Sequence, residues 1–100
     1  MAIYIVLVNF TDQGIRNVKD TTKRADAIKE MAKKFGVTVK EIYWTLGSYD
    51  VVHIYEAPDD ASIAAFLASL GALGNVRTQT LRAFSQADMN GILAKLGSGK

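Results

Sequence analysis

Two segments of the chain, residues 2–8 and 51–55, are apolar or nearly apolar at consecutive positions and have the composition of β-strands. Because a strand alternates its side chains between the two faces of its sheet, such strands need apolar cover on both sides. The helices available in a chain of 100 residues can cover only one face. We therefore expect a second copy of the chain to cover the other face, as a homodimer or a higher homo-oligomer.

The spacing of apolar residues and turn residues predicts the remaining elements. They are, in order, a strand over residues 3–9, a polar loop over 11–19, a helix that begins at a cap among residues 20–22 and ends before Gly36, strands over 42–46 and 51–56, a helix from the cap Asp59 that Gly71 and Gly74 end, a strand over 75–84, and a helix from the cap Ser85. This order predicts an α+β fold, a ferredoxin-like βαββαβ sandwich with a C-terminal helix, in which the first and third strands are central.

The length predicts a single domain over residues 1–96, followed by a flexible tail over 97–100. The formal net charge is only +2, and the basic residues between positions 16 and 40 suit a solvated helix face. With so modest a net charge we expect no nucleic-acid partner. We also expect no membrane partner, because the first apolar run ends at Asn9, far short of a membrane span. The chain has no cysteine, so we expect a cytoplasmic protein without disulfides or thiolate-bound metal.

Alternation along the strands predicts which side chains share a sheet face. With Val52 and Ile54 assigned to the face that the helices cover, the other face receives the following residues: Tyr4, Val6, Tyr43, Thr45, Val51, His53, Tyr55, Thr78, Thr80 and Arg82. A register error of one residue would invert each assignment. A face that mixes aromatic, hydroxyl and cationic groups is suited to a ligand pocket.

His53 is the only histidine and the only side chain whose ordinary pKa lies near neutrality. If the protein is an enzyme, His53 is the candidate catalytic acid or base. The alternative is a hydrogen-bonded structural histidine. One histidine without a second ligand is a poor metal site, so we expect no metal and no cofactor.

The candidate ligand-binding residues combine a turn with nearby cationic and aromatic groups. Gly47 frees the backbone of the turn, and Asp50 either stabilises that turn or belongs to a ligand site. Arg77 either pairs with a substrate carboxylate or places a charge on an edge strand. The full set of candidates is Asn9, Arg16, Asn17, Lys19, Tyr43, Trp44, Gly47, Ser48, Tyr49, Asp50, Arg77 and Thr78. A small carboxylate is the expected ligand.

Three segments resemble the GYD-domain family: residues 11–20 (TDQGIRNVKD), 43–52 (YWTLGSYDVV) and 70–84 (LGALGNVRTQTLRAF). The similarity extends over nearly the whole chain up to Phe84. It implies a small stand-alone protein with a dimeric α+β barrel fold. The family has no established activity to transfer, so the resemblance predicts the fold better than the function.

Two weaker similarities leave the function open. Gly47, Tyr49, Asp50, the acidic residues at positions 59–60 and the segment 74–77 look like the effector-binding domain of leucine-responsive and asparagine-type regulators, which bind amino acids between subunits. This favours a small organic anion in a cleft at the subunit interface. Cofactor-independent monooxygenases share only the architecture, and there Asn9, Trp44 and His53 would line the pocket. A structural or protein-interaction domain is the third alternative.

Overall fold

A computed structural model describes residues 1–98. The elements are β1 (Ala2–Phe10), α1 (Asp12–Arg16), a 3₁₀ turn (Val18–Asp20), α2 (Thr21–Lys34), β2 (Thr38–Trp44), β3 (Val51–Ala57), α3 (Asp60–Ala72), β4 (Val76–Ala83) and α4 (Gln86–Ser98). The strands form one antiparallel sheet in the order β2-β3-β1-β4. The predicted α+β, ferredoxin-like arrangement with a C-terminal helix and central strands β1 and β3 is confirmed.

The core lies between one face of the sheet and the helices α2 and α3. The central strands contribute alternate residues to this helix-covered face, and α3 contributes its apolar stripe. Tyr55 and Phe66 are fully buried and meet edge to face, with ring centroids 5.3 Å apart. The buried residues of the core are Tyr4, Val6, Val8, Ala32, Val37, Val51, Tyr55, Ala57, Ile63, Phe66, Leu67 and Leu70.

The predicted assignment of the two sheet faces is wrong. Val51, His53 and Tyr55 are buried beneath the helices, whereas Val52 and Ile54 lie on the opposite face. The strand pairing places Tyr4, Val6, Thr78, Thr80 and Arg82 on the same side as His53, as expected, but Tyr43 pairs with Val52 on the opposite side. The inversion arises because both faces are apolar, so alternation groups the residues without showing which group faces the helices.

The second face of the sheet carries no helix, and we call it the open face. Cross-strand pairing aligns Leu81, Ile5 and Ile54 in one row across three strands. A parallel row contains Gln79, Leu7, Val52 and Tyr43. Tyr43 is 52% exposed and Leu81 is 42% exposed. The open face therefore has an apolar centre that the described residues leave without cover.

The loop predicted over residues 11–19 contains a short helix, α1. The Thr11 hydroxyl accepts a hydrogen bond from the Gly14 backbone N–H at 3.1 Å and donates one to the Gly74 carbonyl. The Thr11 backbone N–H also bonds the Asn75 carbonyl at 3.1 Å. These contacts attach α1 to the turn before β4. A five-residue helix with an internal glycine has too weak a local signal to be predicted without them.

The predicted helix caps behave differently from one another. Asp59 accepts a hydrogen bond from the Ser62 N–H at 2.7 Å, and Ser85 and Asp88 exchange side-chain bonds with each other's N–H groups at the start of α4. Asp20 stands at the N-cap position of α2 but makes no side-chain capping bond. The caps at Asp59 and Ser85 therefore function as predicted, and the one at Asp20 does not.

α4 extends away from the sheet and makes only slight contact with the rest of the described chain. As a result, the molecule measures 55 × 31 × 18 Å. The helix continues to Ser98, beyond the predicted domain end at residue 96, and residues 99–100 of the predicted tail lie outside the described residues. Within residues 1–98, no helix combines the length and the apolar character needed to cross a bilayer.

Candidate functional site

One group of predicted ligand-binding residues gathers at the end of the open face where β1 and β4 meet. Asn9 and Arg77 are direct cross-strand partners there. Arg77 is exposed, and its guanidinium has no hydrogen-bond or ion-pair partner among the described residues. The pair therefore presents a carboxamide and an unpaired cation side by side, which is a suitable arrangement for a small carboxylate.

The turn over residues 45–50 is fixed beside this group. The Thr45 N–H bonds the Asp50 carbonyl at 2.9 Å, and the Thr45 hydroxyl donates to the Tyr49 carbonyl at 2.6 Å. Gly47 has a φ angle of +100°, a backbone conformation that residues with a side chain rarely adopt. The Tyr49 hydroxyl donates to the Gln79 side-chain oxygen at 3.0 Å, which brings the tyrosine toward β4.

Asp50 has a structural role in this turn. Its carboxylate accepts a hydrogen bond from the Phe10 N–H at 2.8 Å, and its own N–H bonds the Val8 carbonyl at 2.8 Å. Both bonds attach the turn to the end of β1. Asp50 thus holds the turn that carries Tyr49 against the end of β1, next to Asn9.

The other predicted ligand-binding residues lie elsewhere. Trp44 and Thr78 flank Val51 and Val8 in one row on the helix-covered face, and the Trp44 indole N–H donates to the Thr21 hydroxyl at 2.9 Å. Asn17 donates to the Gln13 carbonyl at 2.9 Å within the α1 region. The structure therefore separates the candidates into an open-face group (Asn9, Tyr43, Gly47, Ser48, Tyr49, Asp50, Arg77), a helix-side group (Trp44, Thr78) and an α1 group (Arg16, Asn17, Lys19).

His53 is only 3% exposed and lies on the helix-covered face. Its Nδ1 shares a hydrogen bond with the Tyr55 hydroxyl, and the two rings meet edge to face with centroids 5.4 Å apart. Burial lowers the pKa of the His53 imidazole from 6.5 to about 4, so the ring is neutral at pH 7. The monooxygenase hypothesis requires His53 in a cleft on the other face. The structure does not supply that geometry, because it buries His53 on the helix-covered face.

Sequence reasoning does not identify a cavity of about 190 Å³ that lies between α2, the sheet and the end of α3. Ala25, Ile28 and Met31 of α2 form one wall, and Val51 and His53 of β3 form another. These residues recur at the spacing of one helix face and one strand face. A fully packed core has the same spacing, so the pattern does not distinguish a cavity from a filled core. The available signal is the small side chain of Ala25, one turn before the larger residues of the stripe.

Arg24 borders the cavity, and its guanidinium is held against α1. Its two terminal nitrogens donate to the Asn17 carbonyl at 3.0 Å and to the Gly14 carbonyl at 3.1 Å. These carbonyls belong to the C-terminal end of α1, where a cation is favourable. Within residues 1–98, no cluster of three His, Cys, Asp or Glu side chains is placed to hold a metal ion.

The fold is a small α+β sandwich whose open face carries no helix. Residues 4–93 match the model of the GYD domain family, and the chain belongs to that family. A curated relative from Thermus thermophilus, named glutamine synthetase and cystathionine beta-lyase binding protein, is 38% identical over 90 residues, which cover 89% of this chain and 95% of the relative.

Solved structures show the same architecture. The crystal structure of TTHA0845 from Thermus thermophilus has a TM-score of 0.56 at 25% identity and covers 85% of this chain and 95% of that chain. The crystal structure of FFRP-DM1 has a TM-score of 0.61 at 17% identity, covering 84% of this chain and 100% of that one, and it shows similarity of fold alone.

Proposed function

We propose that the protein is a cytoplasmic interaction module, a homodimer that binds an enzyme of amino-acid metabolism. The exposed apolar surface of the chain carries this proposal. The open face of the sheet and one side of α4 are such surfaces. The name of the Thermus relative, a binding protein for glutamine synthetase and cystathionine beta-lyase, supports an enzyme as the partner.

The open face is suited to a second copy of the chain. Its apolar centre contains Ile5, Leu7, Val52, Ile54 and Leu81, and its rim contains Glu41, Glu56, Arg77 and Gln79. An apolar centre with a polar rim is typical of protein interfaces. Contiguous apolar surface of this kind is unfavourable in an isolated monomer. A two-fold dimer would cover the same patch on both subunits.

The apolar side of α4 is suited to the enzyme partner. Met89, Leu93 and Leu96 are 43%, 50% and 67% exposed, and they recur at the spacing of one helix face. The helix extends from the domain, so a partner can approach it without a clash with the sheet. An amphipathic helix whose apolar residues enter a groove is a common mode of recognition.

The test uses purified glutamine synthetase and cystathionine beta-lyase from the organism that encodes this chain, immobilised for binding measurements. We expect the protein to bind at least one of them. Leu93→Glu should weaken binding by about tenfold or more, because it places a charge in the proposed interface. Ala87→Glu adds the same charge on the opposite side of α4 and should bind as the unaltered chain does. No binding to either enzyme, or equal loss in both variants, would contradict the proposal.

The second candidate function is recognition of a small organic anion at the subunit interface. The observation in its favour is the unpaired guanidinium of Arg77 beside Asn9, at the end of the open face. Tyr49, whose hydroxyl donates to Gln79 two residues from Arg77, is placed to contact the apolar part of an amino acid or a keto acid. In a dimer formed through the open face, this position would lie at the edge of the interface.

A further inference from the structure

We propose that the cavity between α2 and the sheet is a second binding site, for a small neutral molecule of the size of a monocyclic phenol, whose hydroxyl group hydrogen-bonds Nε2 of His53. This site is independent of the interaction surfaces above. It lies on the helix-covered side of the sheet, so a second copy on the open face would leave it accessible.

The volume of the cavity indicates the size of the ligand. Folded proteins contain few voids larger than a water molecule, because close packing is favourable. An engineered apolar cavity of about 150 Å³ in another protein is large enough to bind benzene. The cavity here measures about 190 Å³. It therefore has room for one aromatic ring with one or two small substituents.

The walls of the cavity indicate an apolar ligand with a single polar group. Most of the lining is aliphatic or aromatic, with Ile28, Met31, Ile42 and Val51 on facing sides. Both terminal nitrogens of Arg24 are held at the carbonyls of α1, so a charged ligand inside the cavity would lose its hydration without a counter-ion placed among the apolar walls.

The Thr21 and Asn75 side chains at the border of the cavity each accept one hydrogen bond from protein. The Thr21 hydroxyl accepts from the Trp44 indole, and the Asn75 side-chain oxygen accepts from Gln13. His53 is only 3% exposed; its Nδ1 bonds the Tyr55 hydroxyl, and its Nε2 has no partner among the described residues. A ligand hydroxyl can both donate and accept, so it can bond Nε2 in either tautomer.

His53 also keeps one charge state across the neutral range. Burial lowers its pKa to about 4, so the imidazole presents no positive charge that would favour an anion over a neutral phenol. Access is from the side of Trp44, which is 45% exposed, and Leu73, which is 59% exposed. Trp44 is the only tryptophan in the chain, so its fluorescence reports directly on the entrance of the cavity.

The experiment compares p-cresol with p-xylene, which has a methyl group in place of the hydroxyl. Binding is measured by Trp44 fluorescence and by the shift in melting temperature. We expect saturable binding of p-cresol at one site. His53→Phe should weaken p-cresol binding by about tenfold and leave p-xylene binding within about twofold, because only p-cresol then buries an unpaired hydroxyl. Tyr55→Phe retains Nε2 and should keep the preference for p-cresol.

A second pair of variants tests the location of the site. Ala25→Leu places three additional carbon atoms in the cavity and should abolish binding of both compounds, whereas Ala65→Leu, at an exposed position on α3, should bind both normally. Ile28→Phe serves the same purpose if Ala25→Leu does not fold. The proposal is wrong if p-cresol does not bind saturably, if a folded cavity-filling variant binds it unchanged, or if His53→Phe weakens both compounds equally.

Discussion

Gly14 lies directly against the backbone carbonyl of Asn75, and a Cβ atom at Gly14 would stand 2.0 Å from that oxygen. The close approach joins α1 to the turn before β4, where Thr11 bonds the Gly74 and Asn75 carbonyls. The turn before β4 adjoins the open-face group, since Arg77 follows Asn75 by two residues. The α1 segment adjoins the cavity, since Arg24 at the border of the cavity bonds the Gly14 carbonyl. The contact therefore supports both candidate sites.

Gly14→Ala should lower the free energy of unfolding by about 2–3 kcal/mol, because the methyl group must displace backbone atoms and not a flexible side chain. Gly71→Ala is the matched control. Gly71 lies inside α3, and a Cβ there meets nothing within 4 Å. Its substitution should leave stability unchanged or raise it by up to about 1 kcal/mol. Urea unfolding of both variants measures the difference, and equal stabilities would show that α1 is not held at this contact.

Protein stability should depend on pH through His53. Its pKa is about 4 in the folded protein and about 6.5 when unfolded, so between these values the unfolded chain binds more protons. The contribution of neutral His53 is fully present above pH 6.5 and decreases as the pH falls to about 4, by about 3 kcal/mol in total. Hydrogen bonds from Ser62 and Ser85 lower the pKa values of the Asp59 and Asp88 carboxyl groups. These two groups therefore titrate below this window.

The measurement is the free energy of urea unfolding at intervals between pH 7 and pH 4. The unaltered chain and Tyr55→Phe, which keeps the imidazole, should both lose stability as the pH falls. His53→Phe should show a much smaller slope over the same interval, whatever its absolute stability. If His53→Phe retains the full slope, the imidazole is not the group responsible.

For β1, β3 and β4, the sequence is sufficient to predict which strand residues share a face. Tyr4, Val6, Tyr55 and Thr80 are grouped correctly, because side-chain alternation depends only on position within a strand. The choice of face fails because Ile5 and Ile54 are as apolar as Val6 and Val51, so polarity cannot indicate the side that the helices cover. Tyr43 is predicted on the wrong side because pairing sets Ile42, and not Tyr43, opposite His53.

The candidate sites are less predictable than the fold. Asn9 and Arg77 are 68 positions apart, and only the pairing of β1 with β4 brings them together. The cavity depends on the distance between α2 and the sheet, which no local pattern specifies. Ala25 is small in the sequence, but only the packed structure shows that nothing fills the space beside it. Local patterns predict elements, whereas these sites arise from how the elements pack.

Dimerisation through the open face predicts a specific effect of charge at its centre. Ile5→Lys places an ammonium group between Ile54 and Leu81 and should convert a dimer into a monomer, because a buried unpaired charge costs several kcal/mol. Ala68→Lys adds the same charge at an exposed position on α3, away from the open face, and should remain dimeric. Sedimentation at micromolar concentration measures both. A monomeric unaltered chain would contradict this interface.

The corresponding change at Val51 would not test dimerisation. The sequence alone predicts Val51 on the exposed face, where Val51→Lys would weaken self-association. In the structure, Val51 is 4% exposed and belongs to the core beneath the helices. Val51→Lys should therefore unfold the chain, and loss of the dimer in that variant would say nothing about the open face.

Arg77 should determine whether a small carboxylate binds at the end of the open face. A screen of amino acids and keto acids by thermal shift is the first step. A ligand at ten times its Kd would stabilise the folded protein by about 1.4 kcal/mol and raise the melting temperature by about 5 °C or more. Arg77→Gln should abolish the shift, because it removes the cation that lies beside Asn9 and would pair with the carboxylate. Lys29→Gln, at an exposed position on α2, removes the same charge and should retain the shift. A ligand that stabilises all three proteins equally binds elsewhere, and a screen without any stabilising carboxylate would contradict this function.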